Sequence, residues 1–227
     1  MTKLVINSTW NGLGDLLSQS TLPEIYTRMG YEVYMSDQQQ FKNEGAKSLI
    51  MSNPYIKGFA DEDTNLTYGH LFNSPYPYDN CDNINYVARM EYMIFDKCYN
   101  NYPKIYYNPV YRKEWKDVTF VDLNHFSATH TTSSFVHPVD LYKDYIFSNN
   151  SNILVQGKDY QTTSIWEYID IIFSCKKFIC TFSGSSVVAS AINARNTECI
   201  ATKDYWHDRY TSKGKVFIFD NITYTGV

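Results

Sequence analysis

The sequence contains no basic run longer than the "CKK" at Cys175, and its net charge is −4. A broad nucleic-acid footprint therefore lacks the cations it needs. Nor is there an apolar stretch of the length of about 20 residues that a membrane helix requires. The opening "MTKLVIN" runs straight into a strand pattern without a secretory leader. A cytoplasmic protein is expected, in which the sequons at Asn7, Asn65, Asn149 and Asn221 carry no meaning. No C-x-x-C pair occurs among Cys81, Cys98, Cys175, Cys180 and Cys199. An odd set at irregular spacing, three of them inside predicted strands or helices, reads as buried thiols instead of a disulfide framework or a metal site. Internal repeats and low-complexity tracts are also missing, as is the G-x-S-x-G of a nucleophile elbow.

What the chain does have is enough apolar residue, 44%, for one large α/β domain or two small ones. Its 21 tyrosines gather in Asn-rich loops such as "NSPYPYDN" and "NNYPKIYYNPVY". Tyrosine suits a carbohydrate-contacting surface, offering an apolar face and a hydroxyl. However, Tyr, Asn, Lys and Ile all rise together in A/T-rich genes, and that plainer origin is preferred here.

Strand and helix patterns alternate along the chain. Residues 3–36 form a βαβ unit: the strand Lys3–Asn7, a helix with Leu16, Leu17, Ile25 and Met29 in register, a stop at Gly30, and the strand "YEVYMSD". "NEGAKSLIMSNPYIKGF" supplies a short helix, an Asn53-Pro54 turn and a third strand, followed by a turn-rich region. "NINYVARMEYMIFDKCY" is an amphipathic helix with Val87, Met90, Ile94 and Cys98 on one face. "NYPKIYYNPVYRKEW" has two prolines and no period, and reads as a linker. The rhythm then restarts: strands "VTFVDL", "NILVQG", "KFICTF", "ECIAT" and finally "KVFIFDN", with helices "PVDLYKDYIF", "SIWEYIDIIFSC" and "SSVVASAINAR" between them. Such alternation predicts parallel sheets. The expected architecture is α/β, two Rossmann-like halves facing a cleft, divided into residues 1–112 and 113–227.

The first loop, "NGLGD", raises the central question. A dinucleotide loop asks for G-x-G-x-x-G and an acid about 20 residues on. Gly12, Gly14 and Asp37 fit, but the third glycine position is Leu17, and Asp15 sits where a pyrophosphate should lie. Asp15 could simply favour a helix start. That would not account for two glycines before it at the end of the first strand, where α/β proteins bind ligands.

"NGLGDLLSQSTLPEIYTRMGYEVYMSD" resembles the opening of the heptosyltransferase-like glycosyltransferases of the GT-B fold, glycosyltransferase family 9, whose first loop reads roughly small-small-x-Gly-Asp. "NPYIKGF" is similar to their Asn/His-Pro-x-Val segment, and "NYVARMEYMIFDK" to their helix with a central Arg. "SIWEYIDIIFSCKKFICTFSGSSVVASAINARNTECIA" resembles their donor-side helix–strand–loop–helix–strand block. The resemblance implies an inverting, metal-independent transferase without a cofactor, using a nucleotide-diphosphate sugar as co-substrate. Its acceptor would be a carbohydrate or glycolipid, in the second case with peripheral membrane contact. Residues 1–112 would be the acceptor side and 113–227 the donor side. Asp15 would be the general base, taking the acceptor hydroxyl's proton, with Gly12 and Gly14 shaping its loop. A helix N-terminus stabilises an anion and so weakens it as a base, a tension within this assignment.

Ser183, Gly184, Ser185 and Ser186, between a strand and a helix, would hold the diphosphate, with Thr129 and Lys203 as further contacts. An ordinary serine N-cap explains the same loop. The family's Asp before Ser-Gly is Phe182 here, and its helix His is Val187. No Lys or Arg lies between Lys116 and Lys143; His125, His130 and His137, with Thr131 and Thr132, occupy that stretch, and Lys158 could also supply charge. Two alternatives follow: a non-catalytic nucleotide or sugar binder, or a metal-dependent transferase using the D-x-D of Asp61 and Asp63. Asp204, His207 and Asp208 lack metal-site spacing.

Overall fold

The structure is a computed structural model that describes residues 2–8, 11–61, 67–69, 85–123, 138–201 and 218–227. It divides into two compact units, Met1–Tyr107 and Asn108–Val227. The first holds β1 (Thr2–Asn7), α1 (Leu13–Ser18), α2 (Leu22–Arg28), β2 (Tyr31–Ser36), α3 (Glu44–Met51), β3 (Ile56–Ala60), β4 (Thr67–Gly69) and α4 (Tyr86–Phe95). Its sheet runs β3-β2-β1-β4, every pair parallel. Leu4, Val5 and Ile6 are buried in succession on β1, the mark of a parallel strand covered on both faces.

The single helix expected before Gly30 is two helices. Pro23 cannot donate to the carbonyl of Gln19, and its ring would clash there. The chain instead tightens, Gln19 and Ser20 donating to Leu16 and Leu17 (3.2 and 3.0 Å). It then restarts with the proline in the first turn of α2, where no N–H is missed. Met29 is consequently exposed rather than part of a core face, while Gly30 stops α2 at φ +92° as its position predicts.

The second unit holds a 3-10 turn (Lys113–Trp115), β5 (Thr119–Asp122), α5 (Pro138–Asn149), β6 (Ile153–Val155), α6 (Ile165–Ser174), β7 (Lys177–Cys180), α7 (Gly184–Ala191), β8 (Thr197–Ala201) and β9 (Thr223–Gly226). The sheet order is β6-β5-β7-β8-β9, again all parallel. Val121, Leu123, Tyr142, Ile146, Val155, Ile179 and Ile200 form a core against this sheet. Cys175, Cys180 and Cys199 are free and buried, and Cys98 is half-buried. The last strand differs from expectation. The described part of "KVFIFDN", from Ile218, is irregular, and the strand follows it at Thr223. The Phe219 N–H donates to the Tyr224 hydroxyl (2.9 Å) across the intervening turn.

The proline-rich segment is not a free linker, and the two compact units meet in it, at Tyr107. Lys104 donates from its main chain to Ser20 Oγ (2.7 Å) and from Nζ to Glu24 Oε2 (2.6 Å) in the first unit. From Val110 onward the partners are in the second. The Val110 N–H donates to Asp170 Oδ1 (2.9 Å), and the Arg112 guanidinium donates twice to Asp170 Oδ2 (3.2 and 3.0 Å).

Candidate active site

In each sheet the strand order reverses beside the first strand, β1 between β2 and β4, β5 between β6 and β7. Ligands of open α/β sheets bind at the carboxyl ends of strands at such switch points. Both loops singled out in the sequence leave from there.

In the first unit Gly12 is the extended N-cap of α1 (φ −69°, ψ 144°), which places Asp15 in the helix's first turn. A Cβ on Gly12 would lie 2.7 Å from Asp15 Oδ2. The carboxylate thus occupies the space that glycine leaves, and the glycine is needed for that reason. Two segments brace the loop. The Ser8 N–H donates to Gln39 Oε1 (2.7 Å), and Gln19 Nε2 donates to Ser8 Oγ (2.9 Å). The Lys42 N–H donates to the Asn11 carbonyl (3.1 Å). Burial pushes the Asp15 carboxyl up from its ordinary 3.8 to about 6, against the Lys42 charge and the residue's own N–H, which both favour the anion. The shift is upward, toward a stronger base, the direction opposite to the one a helix N-terminus alone would give. Leu17, at the third glycine position of a dinucleotide loop, is a core side chain at 1% exposure.

In the second unit Ser183 is the N-cap of α7, its Oγ accepting from the Ser185 N–H (3.2 Å). The other two hydroxyls also turn inward. Ser186 Oγ donates to the Ser183 carbonyl (2.8 Å), and Ser185 Oγ donates to Asp122 Oδ2 (2.9 Å). Gly184 and Ser183 remain half-buried, Ser185 and Ser186 buried. Thr181 Oγ1, just before the turn, is buried without a hydrogen-bond partner. Phe182 stacks on Tyr224 with centroids 5.3 Å apart, and Val187 is fully buried. Neither position offers a polar group.

The structure thus gathers Gly12, Gly14 and Asp15 in one loop, and Ser183 to Ser186 in another. Thr129 and Lys203, like His125, His130, His137, Thr131, Thr132, Asp63, Asp204, His207 and Asp208, lie outside the described residues. Asp61 and Lys158 are exposed. Among the described residues no three His, Cys, Asp or Glu side chains converge to hold a metal. Nor is any described helix long and apolar enough to cross a membrane. Sequence reasoning missed Gln39, Lys42, Asp122 and Tyr168. Asp122 alone carried a signal, as a carboxylate ending an otherwise apolar strand.

No family model matches this sequence, and no curated protein does. Solved structures do. One is the bacterial iron-containing dodecameric glycosyltransferase TibC from enterotoxigenic E. coli H10407, with a TM-score of 0.58 and 14% identity over 88% of this chain and 60% of that one. Another is TibC, a heptosyltransferase, in complex with ADP-D-beta-D-heptose, at 0.55 and 11% over 88% and 58%. A third is a family 9 glycosyl transferase from Veillonella parvula, at 0.54 and 9% over 100% and 85%. The chain therefore spans about 60% of the length of TibC. At such identities the likeness speaks for fold alone: this chain has the GT-B-like fold of the heptosyltransferase-type glycosyltransferases of family 9.

Proposed function

We propose that the protein is an inverting, metal-independent glycosyltransferase acting in the cytoplasm, with Asp15 as general base. The observation that carries this reading is the Asp15 carboxyl, held over Gly12 at the switch point of its sheet, with a pKa of about 6. A base is most effective when its pKa lies near working pH. In the step, the acceptor's hydroxyl proton passes to Asp15 as its oxygen bonds to the anomeric carbon. The bond from that carbon to the donor diphosphate breaks on the opposite side, and the diphosphate leaves with the electron pair. The Ser183–Ser186 turn, with Thr129 and Lys203, is the proposed diphosphate cradle, at the amino end of α7 where the helix dipole favours an anion. TibC's complex makes an ADP-heptose the first donor to try; the acceptor class is a carbohydrate or glycolipid.

The test is ligand-observed NMR against ADP-, GDP-, UDP-, CMP- and dTDP-sugars and NAD, with and without manganese, followed by donor hydrolysis and transfer assays. Metal-independent binding with turnover supports the proposal. Binding only with manganese moves the chemistry to Asp61 and Asp63, and NAD binding alone sinks it. Binding without turnover favours the second reading, a non-catalytic binder, which Phe182 and Val187 support by replacing polar family positions with a stacked ring and a core side chain.

Two further outcomes are expected. Turnover should rise with pH through a midpoint near 6 as Asp15 loses its proton, measured as kcat/KM from pH 4.5 to 8. Gly12→Ala should leave the fold intact but displace the carboxylate, lowering kcat by roughly tenfold to a hundredfold. Circular dichroism beside the same assay separates that loss from unfolding.

A further inference from the structure

Asp15 lies in the stretch of chain between Ser8, which follows β1, and Gln19, the C-cap of α1. The two ends of that stretch are tied together, Gln19 Nε2 donating to Ser8 Oγ (2.9 Å). Both are tied in turn to a third segment, because the Ser8 N–H donates to Gln39 Oε1 (2.7 Å). Ser8, Gln19 and Gln39 are each only 7% exposed. Gln39 belongs to an arm, residues 37–42, that leaves the carboxyl end of β2. The root of the arm is fixed: the Asp37 N–H donates to the Ala60 carbonyl (2.9 Å) and the Gln39 N–H to the Ser36 carbonyl (3.1 Å). Its tip returns to the Asp15 loop, where the Lys42 N–H meets the Asn11 carbonyl (3.1 Å). The other end of the Gln39 amide stays within the arm, Nε2 donating to the Gln40 carbonyl (2.7 Å).

We propose that Gln39 is a positioning residue for Asp15: rooted on β2 and gripping the chain where it leaves β1, its amide keeps the loop closed and the carboxylate half out of water above Gly12. The name of base for Asp15 rests on the transferase reading; the amide row does not. A buried glutamine is costly unless the oxygen and the nitrogen of its amide are both paired, and here both are. What the pairing gives is placement, and a misplacement of about 1 Å can cost a reaction about a hundredfold. Burial is also what lifts the Asp15 carboxyl to about 6, so an arm that holds the loop shut holds the carboxyl up. Lys42, at the tip, works in the opposite direction. Among the described residues its ammonium is the charge that acts on Asp15, and it favours the anion. Burial pulls the Lys42 pKa down, and the Asp15 charge opposes that fall. One arm therefore carries the amide that closes the loop and the cation that limits how far the carboxyl rises.

The experiment follows the Asp15 carboxyl directly, by carbon-13 NMR of aspartate-labelled protein titrated from pH 3 to 9, the signal being assigned with Asp15→Asn. Wild type, Gln39→Met and Lys42→Gln are compared, with circular dichroism to confirm folding. Gln39→Met keeps the bulk of the side chain and removes both of its hydrogen bonds. It should lower the Asp15 midpoint from about 6 to below about 5 as water enters, whereas Lys42→Gln should raise it. Where turnover is measured, Gln39→Met should reduce kcat by about tenfold or more with KM within about threefold. If Gln39→Met does not fold, Gln39→Asn, which keeps the amide and shortens its reach, is read by the same criteria. A midpoint unmoved by the Gln39 change, with only a lower melting temperature, would show ordinary packing and overturn the proposal. So would a midpoint that falls alike in the Gln39 and Lys42 variants, the mark of general loosening. A wild-type carboxyl that titrates near 4 would overturn both this proposal and the assignment of Asp15 as base. If the midpoints move as expected but no donor is turned over, the positioning role stands and the transferase reading alone fails.

Discussion

Asp15→Asn is expected to make the protein more stable and to silence it. A carboxyl whose folded-state pKa is raised from 3.8 to about 6 binds its proton more tightly in the native state than in the unfolded chain. The stability this contributes is fully present below about pH 4 and is lost as pH rises through 6. At neutral pH the ionised, half-buried side chain therefore costs the native state at most about 3 kcal/mol, with solvent screening reducing the figure. Asparagine has nearly the same shape and no charge to bury. The apparent melting temperature at pH 7 should rise by a few degrees, with the gain fading toward pH 4. Transfer should fall by roughly two to four orders of magnitude, the usual contribution of a positioned base. Opposite movements of stability and activity mark a residue kept for chemistry. If the asparagine variant instead melts lower at pH 7, the carboxylate is a helix-start anchor and the assignment of Asp15 as base fails.

Glu91→Ala should be the most damaging single change to the fold. Glu91 on α4 is fully buried. Its Oε2 accepts the main-chain N–H groups of Tyr99 and Asn100 (2.5 and 2.8 Å), and its Oε1 accepts Asn100 Nδ2 (2.6 Å). Alanine leaves those donors without their acceptor and opens a void. Such losses typically total about 3–5 kcal/mol, a large share of the roughly 5–15 kcal/mol that holds a domain together. Urea unfolding of the variant measures it directly. A loss under about 1 kcal/mol would mean that water reaches the Tyr99–Asn100 turn as easily as the carboxylate does.

The alternation of strands and helices was legible in the sequence because parallel strands covered on both faces appear as short unbroken apolar runs, as Leu4–Ile6 and Phe178–Cys180 do. The start of α1 was legible too, because Gly12 stands at its extended N-cap, a backbone position that the sequence marks with glycine. What could not be read was how polar side chains are spent. Ser183, Ser185 and Ser186 have the composition of a phosphate loop, yet their hydroxyls bond inward. The partner that decides this for Ser185 is Asp122, 63 residues away in sequence. The break between α1 and α2 was hidden for a different reason. Leu16, Leu17 and Ile25 keep helical spacing across it, so periodicity alone passes over a proline that ends one helix and starts another. The strand at Thr223 was not anticipated because "TYTG" has weak strand composition, and it forms through the register that β8 offers at Glu198–Ala201.

Every strand pair in both sheets is parallel, and this divides the evolutionary burden between the two ends of each sheet. Connections at the amino ends close the βα units and answer to packing. Connections at the carboxyl ends answer to ligands, and the chain that leads into α1 and into α7 leaves the carboxyl ends of β1 and β7. Substitutions there can therefore change what is bound while the packing at the amino ends stays as it is. Shared architecture at 9–14% identity is compatible with such a division of labour, and those two loops are where a library for altered specificity belongs.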